Sequence, residues 1–412
     1  MSLGPVKPLS IMVVAGEPSG DELAAELIRA LRAEAGPFSP SFFGAGGEKM
    51  AAAGVETVVD LTRHAVIGLP TFAEYRKFQR LRDDLVALAA ARAPDVVVGV
   101  DFFAFNGSLA ERIRTMSERM SGPFQNWRPK LVQYVSPQVW ASRPGRARRL
   151  ERTHDLLLSI LPFEPAWYAA QAPRLRVEFV GHPIVERHGT GEVSGLRSQV
   201  PGSVEGGVPD GTGHASPDLK PETSNQKLLL LPGSRAGELR RHLPVMVEAA
   251  RRIEAQTGVT LQMVLPNTAL LDQARPFLAP LPRLQIQIGG LSDALRAATV
   301  ALASTGTVTL ECAWSGVPTV AIYRTSRITY ELGKRLVTVK SLAMPNLLAG
   351  GTVMPEFIQH EATPENLARA TLALLADPGR RATIRDQLAA VVRSLGGPGA
   401  SRRAARAVLS LL

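Results

Sequence analysis

The chain has 412 residues, which at about 150 residues per domain points to two or three domains. A hydrophobic share of 45% and a charged share of 20% permit large buried cores and exclude global disorder. Lys and Arg outnumber Asp and Glu by 47 to 37, and the net charge of +10 favours an anionic partner: a phosphorylated substrate, an acidic membrane or nucleic acid. Aromatic residues make up only 5%, with no basic–aromatic interleaving, so nucleic acid is the least favoured of the three. The single cysteine, Cys312, excludes an internal disulfide and a multi-cysteine metal site. At an apolar helical position it reads as core.

Ile11 to Ala15 is too short for a signal peptide, and Glu17 and Asp21 follow it. No apolar run approaches the about 18 residues that span a bilayer. The expectation is a soluble or peripheral protein of the reducing cytoplasm.

In chain order, Ser10–Ala15 predicts a buried strand and Asp21–Ala33 a helix. Ser41–Phe43 predicts a second strand, running into Gly44-Ala45-Gly46-Gly47. Arg80–Ala93 is a helix, Asp95–Val100 a strand, Leu109–Met120 a helix and Leu131–Val135 a strand. Leu156–Leu161 and Val177–Val180 add two short strands. From Gly189 to Gln226 the composition turns to Gly, Ser, Pro, Thr and Glu without apolar periodicity, which predicts a flexible linker. The alternation then restarts with strands at Leu228–Leu231, Leu261–Leu265, Gln285–Ile288, Val300–Ala303 and Thr319–Tyr323. Helices fall within Gly237–Thr257, at Leu291–Ala298 and Thr307–Ser315, and through most of Thr363–Leu412. Strand–helix alternation predicts parallel sheets covered on both faces. The domains are then 1–188, a linker over 189–226, and 227–412.

In such sheets ligands sit at the carboxyl ends of strands. Glu17 and Ser19 follow the first strand between Gly16 and Gly20, Asp21 comes directly after, and Asp21 is equally suited to capping the helix it begins. Asp101 ends a strand beside Phe102, Phe103 and Phe105, which suits a substrate pocket or a helix cap. The Gly44–Gly47 loop lacks dinucleotide spacing and reads as close backbone approach to a ligand or a neighbouring loop.

Gly233-Ser234-Arg235 and Ser304-Thr305-Gly306-Thr307 each lie between a strand and a helix, where free N–H groups accept phosphate oxygens and Arg235 adds a cation. Glu311, one turn into the second helix, suits a ribose. Two such starts in one domain point to a nucleotide diphosphate. Arg143, Arg146, Arg148 and Arg149 form a basic cluster that is either a solvated face or a seat for a phosphorylated acceptor or lipid headgroup. Val66, Ile67, Leu69 and Phe72, collared by Arg76, Lys77 and Arg80, form either core or a membrane wedge. His64 and His182 stand apart without metal-ligand spacing, so no metal is expected.

Nine segments in order, among them AGEPSGD (Ala15–Asp21), YVSPQVWASR (Tyr134–Arg143), LLPGSR (Leu230–Arg235), TGTVTLE (Thr305–Glu311) and MPNLLAG (Met344–Gly350), resemble those of the lipid-A-disaccharide synthases over nearly the whole chain. The resemblance implies a GT-B glycosyltransferase: two Rossmann-like, doubly wound α/β domains facing a central cleft. It implies an inverting transfer from UDP-2,3-diacylglucosamine to 2,3-diacylglucosamine 1-phosphate, without cofactor or metal. The membrane would be a peripheral partner at the cytoplasmic face of the inner membrane. The same resemblance assigns Ser234, Arg235, Thr305, Gly306 and Thr307 to the diphosphate, Glu311 to ribose and Asn346 to the donor site. Glu17, Ser19 and Asp21 would face the acceptor. Ala104 stands where many members carry an acid, so the base is open between Asp101, Asp21 and Glu17. The last helices are expected to return to the first domain by analogy with other GT-B enzymes, and the oligomeric state is left open.

Overall fold

A computed structural model describes residues 8–36, 39–62, 72–122, 126–188 and 226–412. Val66, Ile67 and Leu69 and all but the last residue of the expected linker lie outside the described residues; Phe72 begins the helix Phe72–Arg92. The chain divides into two compact units. One comprises Met1–Thr190, Leu336–Val339 and Ser394–Leu412, the other Gly191–Arg335 and Lys340–Arg393.

The first unit is built on seven strands: β1 (Ser10–Ala15), β2 (Ser41–Gly46), β3 (Glu56–Asp60), β4 (Val96–Val100), β5 (Lys130–Tyr134), β6 (Leu156–Ser159) and β7 (Val177–Phe179). All pairings are parallel, in the order β3-β2-β1-β4-β5-β6-β7. Strand alternation sends Ile11, Val13 and Ala15 to one face and Met12 and Val14 to the other. The first face is covered by the helix Pro18–Glu34, through Leu23, Leu27, Ile28 and Leu31, and by Ala404 and Val408 of the helix Ala400–Leu409. Phe105, Leu109 and Ile113 of the helix Phe103–Arg119 and Leu85 and Ala89 of Phe72–Arg92 cover the second. Burial on both faces explains why β1, β4 and β6 read as unbroken apolar runs.

The second unit carries β8 (Lys227–Leu231), β9 (Thr260–Leu265), β10 (Gln285–Ile288), β11 (Val300–Ser304), β12 (Thr319–Tyr323) and β13 (Glu356–Ile358). These are again parallel, in the order β10-β9-β8-β11-β12-β13. Both sheets therefore reverse their strand order beside their first strand, at β1/β4 and at β8/β11, where doubly wound folds bind ligands. The helix Ala236–Thr257 buries Leu239, His242, Leu243, Met246, Ala250 and Ile253 along one face at spacings of three and four, and Gly258 ends it in the left-handed conformation at φ 66°. No described helix is long and apolar enough to cross a membrane.

Candidate functional site

At the β8/β11 reversal the strand ends enclose a cavity of about 690 Å³. Gly233, Ser234 and Arg235 line it from β8, Gly289 and Gly290 from β10, Thr305, Gly306, Thr307 and Glu311 from β11, and Tyr323 from β12. Six of the residues assigned to the donor thus share one cavity. Gly233 (φ 126°) and Gly306 (φ 123°) adopt positive φ, which turns each chain sharply into its helix. Thr309 Oγ1 donates to the Gly306 carbonyl at 2.7 Å and stiffens the second turn. Cys312 lies on the buried face of the helix Thr307–Trp314, and burial pushes its thiol up to about 12, so it is core.

Two cavity-side residues escape the motif reading. Glu238 accepts the Ser234 N–H at 3.1 Å through Oε2, while its Oε1 lies 3.8 Å from Arg235 Nη1. A carboxylate therefore holds a donor and a cation suited to a phosphate. His242 is buried beneath the loop; its Nε2 accepts the Arg324 N–H at 2.9 Å and its Nδ1 faces the Pro232 carbonyl at 2.9 Å. Burial lowers its pKa, which keeps the ring neutral with the proton on Nδ1. Helical spacing was the available signal, because residue 242 shares a face with Leu239 and Leu243.

Asn346 does not line this cavity. It is buried, its Oδ1 accepts the N–H groups of Val353 and Met354 at 2.8 Å each, and its Nδ2 donates to the Met354 carbonyl at 2.8 Å. Its bonding capacity shapes the turn at 351–354.

In the first unit, Gly20 packs beside the end of β4: a Cβ there would lie 3.4 Å from the Val100 carbonyl and 3.6 Å from Asp101 Cβ. The first turn of the helix Pro18–Glu34 is thereby brought against the end of β4 at Asp101. Asp101 (φ 50°) and Phe102 (φ 41°) are consecutive left-handed residues, a strained turn of the kind that clusters at functional sites. The Asp101 carbonyl is pinned by Asn106 Nδ2 at 2.9 Å and Gln133 Nε2 at 3.0 Å, and its N–H donates to the Tyr134 carbonyl at 2.8 Å.

Asp21 has a different task. Its buried carboxylate accepts the N–H groups of Gly47 at 2.8 Å, Lys49 at 3.0 Å and Met50 at 3.1 Å. It caps the short helix Glu48–Ala52 rather than its own helix. The glycine loop makes this possible, since a Cβ on Gly47 would meet Asp21 Oδ2 at 2.7 Å.

Arg143 and Arg146 are exposed around the 3₁₀ turn Pro144–Arg146. Burial, then the charges of Arg143 and Arg149, lower the Arg146 pKa. The preceding loop is anchored by Glu164, buried, which accepts Trp140 Nε1 at 2.9 Å and contacts Ser159 Oγ at 2.5 Å. Burial raises the Glu164 pKa and favours its protonated form. Among the described residues no group of three or more His, Cys, Asp or Glu side chains is placed to hold a metal ion.

A family model described as lipid-A-disaccharide synthetase matches residues 11–198 and 212–411. The lipid-A-disaccharide synthase of Trichlorobacter lovleyi is 37% identical over 415 residues, covering 98% of each chain. The structure of a putative UDP-N-acetylglucosamine 2-epimerase from Listeria monocytogenes aligns with TM-score 0.59 at 17% identity, over 98% of this chain and 97% of that one. The calicheamicin glycosyltransferase CalG4 aligns with TM-score 0.56 at 16% identity, over 98% and 99%. These structural likenesses carry the fold, which is GT-B with its two Rossmann-like sheets. Sequence likeness along nearly the whole length carries the family: the chain belongs to the lipid-A-disaccharide synthetases.

Proposed function

We propose that this chain transfers the sugar of UDP-2,3-diacylglucosamine to the 6-hydroxyl of 2,3-diacylglucosamine 1-phosphate. The products are a β-1,6-linked disaccharide 1-phosphate and UDP. The observation that carries the reading is the pairing of two helix starts, Arg235 and Glu311 in one cavity at the β8/β11 reversal.

Ser234, Arg235, Thr305, Gly306 and Thr307 hold the diphosphate, and Glu311 the ribose hydroxyls. Asn346 supports the donor site indirectly, through the turn it shapes. The acceptor oxygen bonds to the anomeric carbon on the face opposite the departing phosphate oxygen, inverting that centre. Its proton passes to a carboxylate, and N–H groups with Arg235 take the charge that develops on UDP. We assign the base to Asp101. Asp21 has its oxygens engaged by three N–H groups, and Glu17 with Ser19 is assigned to orient the acceptor. Arg143 and Arg146 are assigned to the acceptor phosphate, or to a lipid headgroup beside it. Work at the cytoplasmic face of the inner membrane, with Val66, Ile67, Leu69 and Phe72 as the wedge, completes the proposal.

The test is turnover of the two acylated substrates by the full chain, with EDTA present. Disaccharide phosphate and UDP are expected, and UDP-N-acetylglucosamine alone should stay unconverted. Asp101→Asn should lower turnover by about 10²-fold or more at unchanged UDP affinity. Near-normal turnover moves the base to Glu17. No product with UDP binding intact removes the proposed reaction.

A further inference from the structure

A second groove, of about 630 Å³, lies in the second unit apart from the donor cavity's lining. Arg240, Arg241, Arg324, Arg327 and His360 line it, against one carboxylate, Glu365, which is engaged by Arg252. No carboxylate among the described residues pairs with Arg240, Arg324 or Arg327. The groove has a fixed frame. Gln359 accepts the Thr325 N–H at 3.0 Å and donates to the Thr325 carbonyl at 3.1 Å, and the Arg324 N–H is held by His242.

The helix Arg327–Leu336 leaves from the same rim, with Tyr330 edge-on to His360 at 5.8 Å. It presents Ile328 at 76% exposure, with Lys334 and Arg335 also exposed; Lys334 lies 5.5 Å over the Tyr330 ring and is partly offset by Glu331 at 3.8 Å. Four arginines beside an exposed aliphatic side chain suit neither a soluble anion, which has no use for Ile328, nor water alone. Cations that collar an exposed apolar residue on a helix match the charge and layering of an acidic bilayer surface.

We propose that this groove and the first turn of the helix Arg327–Leu336 form a contact for acidic lipid headgroups on the second unit. The phosphates sit among Arg240, Arg241, Arg324 and Arg327, and Ile328 enters the interfacial layer. The proposal does not depend on which sugar is transferred.

The experiment is co-sedimentation of the full chain with vesicles of phosphatidylcholine alone or mixed with phosphatidylglycerol. Melting temperature and UDP affinity serve as folding controls. Arg240→Glu with Arg327→Glu should weaken binding to the acidic vesicles by about tenfold or more and flatten its salt dependence. Ile328→Ser alone should weaken it severalfold. Both variants should keep parental UDP affinity and turnover on detergent-dispersed substrates, so a failed reaction assignment stays separable. Should the double variant misfold, Arg240→Gln with Arg327→Gln serves with the same expectation. Unchanged partitioning of both variants overturns the proposal. It is also overturned if inorganic phosphate occupies the groove equally well and Ile328→Ser has no effect on vesicle binding, since the groove is then a soluble-anion site.

Discussion

His242 donates its Nδ1–H to the Pro232 carbonyl at 2.9 Å, two helical turns below the loop that carries Ser234 and Arg235. A backbone carbonyl only accepts, so this contact fixes the tautomer, and Nε2 is left to accept the Arg324 N–H. The ring ties the residue after β8 to the residue after β12 beneath the loop. Replacing it with alanine leaves one carbonyl and one N–H without their partner, at a cost of about 1–3 kcal/mol. His242→Ala should lower the melting temperature and raise the Kd for UDP by up to about tenfold, with the loop no longer held in place. Calorimetric titration of UDP checks this. An unchanged Kd in a destabilised variant would confine His242 to folding.

Glu238 makes the opposite prediction. Its carboxylate takes the Ser234 N–H and sits near Arg235, so an incoming diphosphate meets a like charge and an occupied donor. Glu238→Gln removes the charge and keeps the shape. UDP should bind several-fold more tightly, with about 1 kcal/mol as the upper scale for an exposed pair, and the gain should shrink at high salt. Weaker binding would mean that Glu238 acts mainly to order the loop.

Much of the architecture could be read from residues alone, because strands buried on both faces leave continuous apolar runs. β1 and β12 have the predicted boundaries for this reason, whereas β10, an exposed edge strand, shows its predicted bounds through its Gln-Ile-Gln-Ile alternation. β3 and β13 do not announce themselves: Glu56–Asp60 and Glu356–Ile358 are short and only part-buried, so polar residues interrupt the pattern. The helix Pro18–Glu34 begins earlier than predicted because Pro18 is favourable in the first helical turn, where its missing N–H costs nothing. At the candidate site, backbone-driven features were legible, since Gly233 and Gly306 mark sharp turns wherever they occur. Side chains that act through partners distant in sequence were not. Asp21 shows this, its three N–H donors coming from residues 47 to 50, as does Asn346, whose amide serves Val353 and Met354.

Gly16 tests the strained rim of the first unit. A Cβ there would meet the Phe102 ring at 2.2 Å. That ring is stacked on Phe105 at 5.7 Å and packed on Phe78 at 6.0 Å, so it has little room to retreat. Gly16→Ala should therefore cost about 1–3 kcal/mol and displace the Asp101–Phe102 turn. Turnover should fall while UDP affinity stays parental. Phe102→Ala in the same chain should recover part of the stability, giving a non-additive cycle. Additive losses would show that the ring is not what Gly16 accommodates.

The pH dependence of stability follows from buried histidines. His182 is buried, its Nδ1 accepts the Ile184 N–H at 3.1 Å, and burial, with Arg187 adding to it, lowers its pKa from 6.5 to about 4. The contribution is fully present above pH 6.5, where the ring is neutral folded and unfolded alike. As pH falls below 6.5 the unfolded chain takes up a proton that the native ring refuses, so stability declines until about pH 4. The slope is about 1 kcal/mol per pH unit for one such group. His154, also lowered to about 4 by burial and then by Arg114, acts in the same sense. Glu26, Glu164 and Glu356 act in the other, because burial raises their pKa values above 4.5 and the native state takes up their protons first as pH falls. His182→Asn isolates one term, since its side-chain oxygen can accept the Ile184 N–H without titrating and every other group is common to both proteins. Urea unfolding between pH 7.5 and 5 should give a shallower decline for the variant than for the parent. Parallel curves would mean that His182 titrates alike in the folded and unfolded chain.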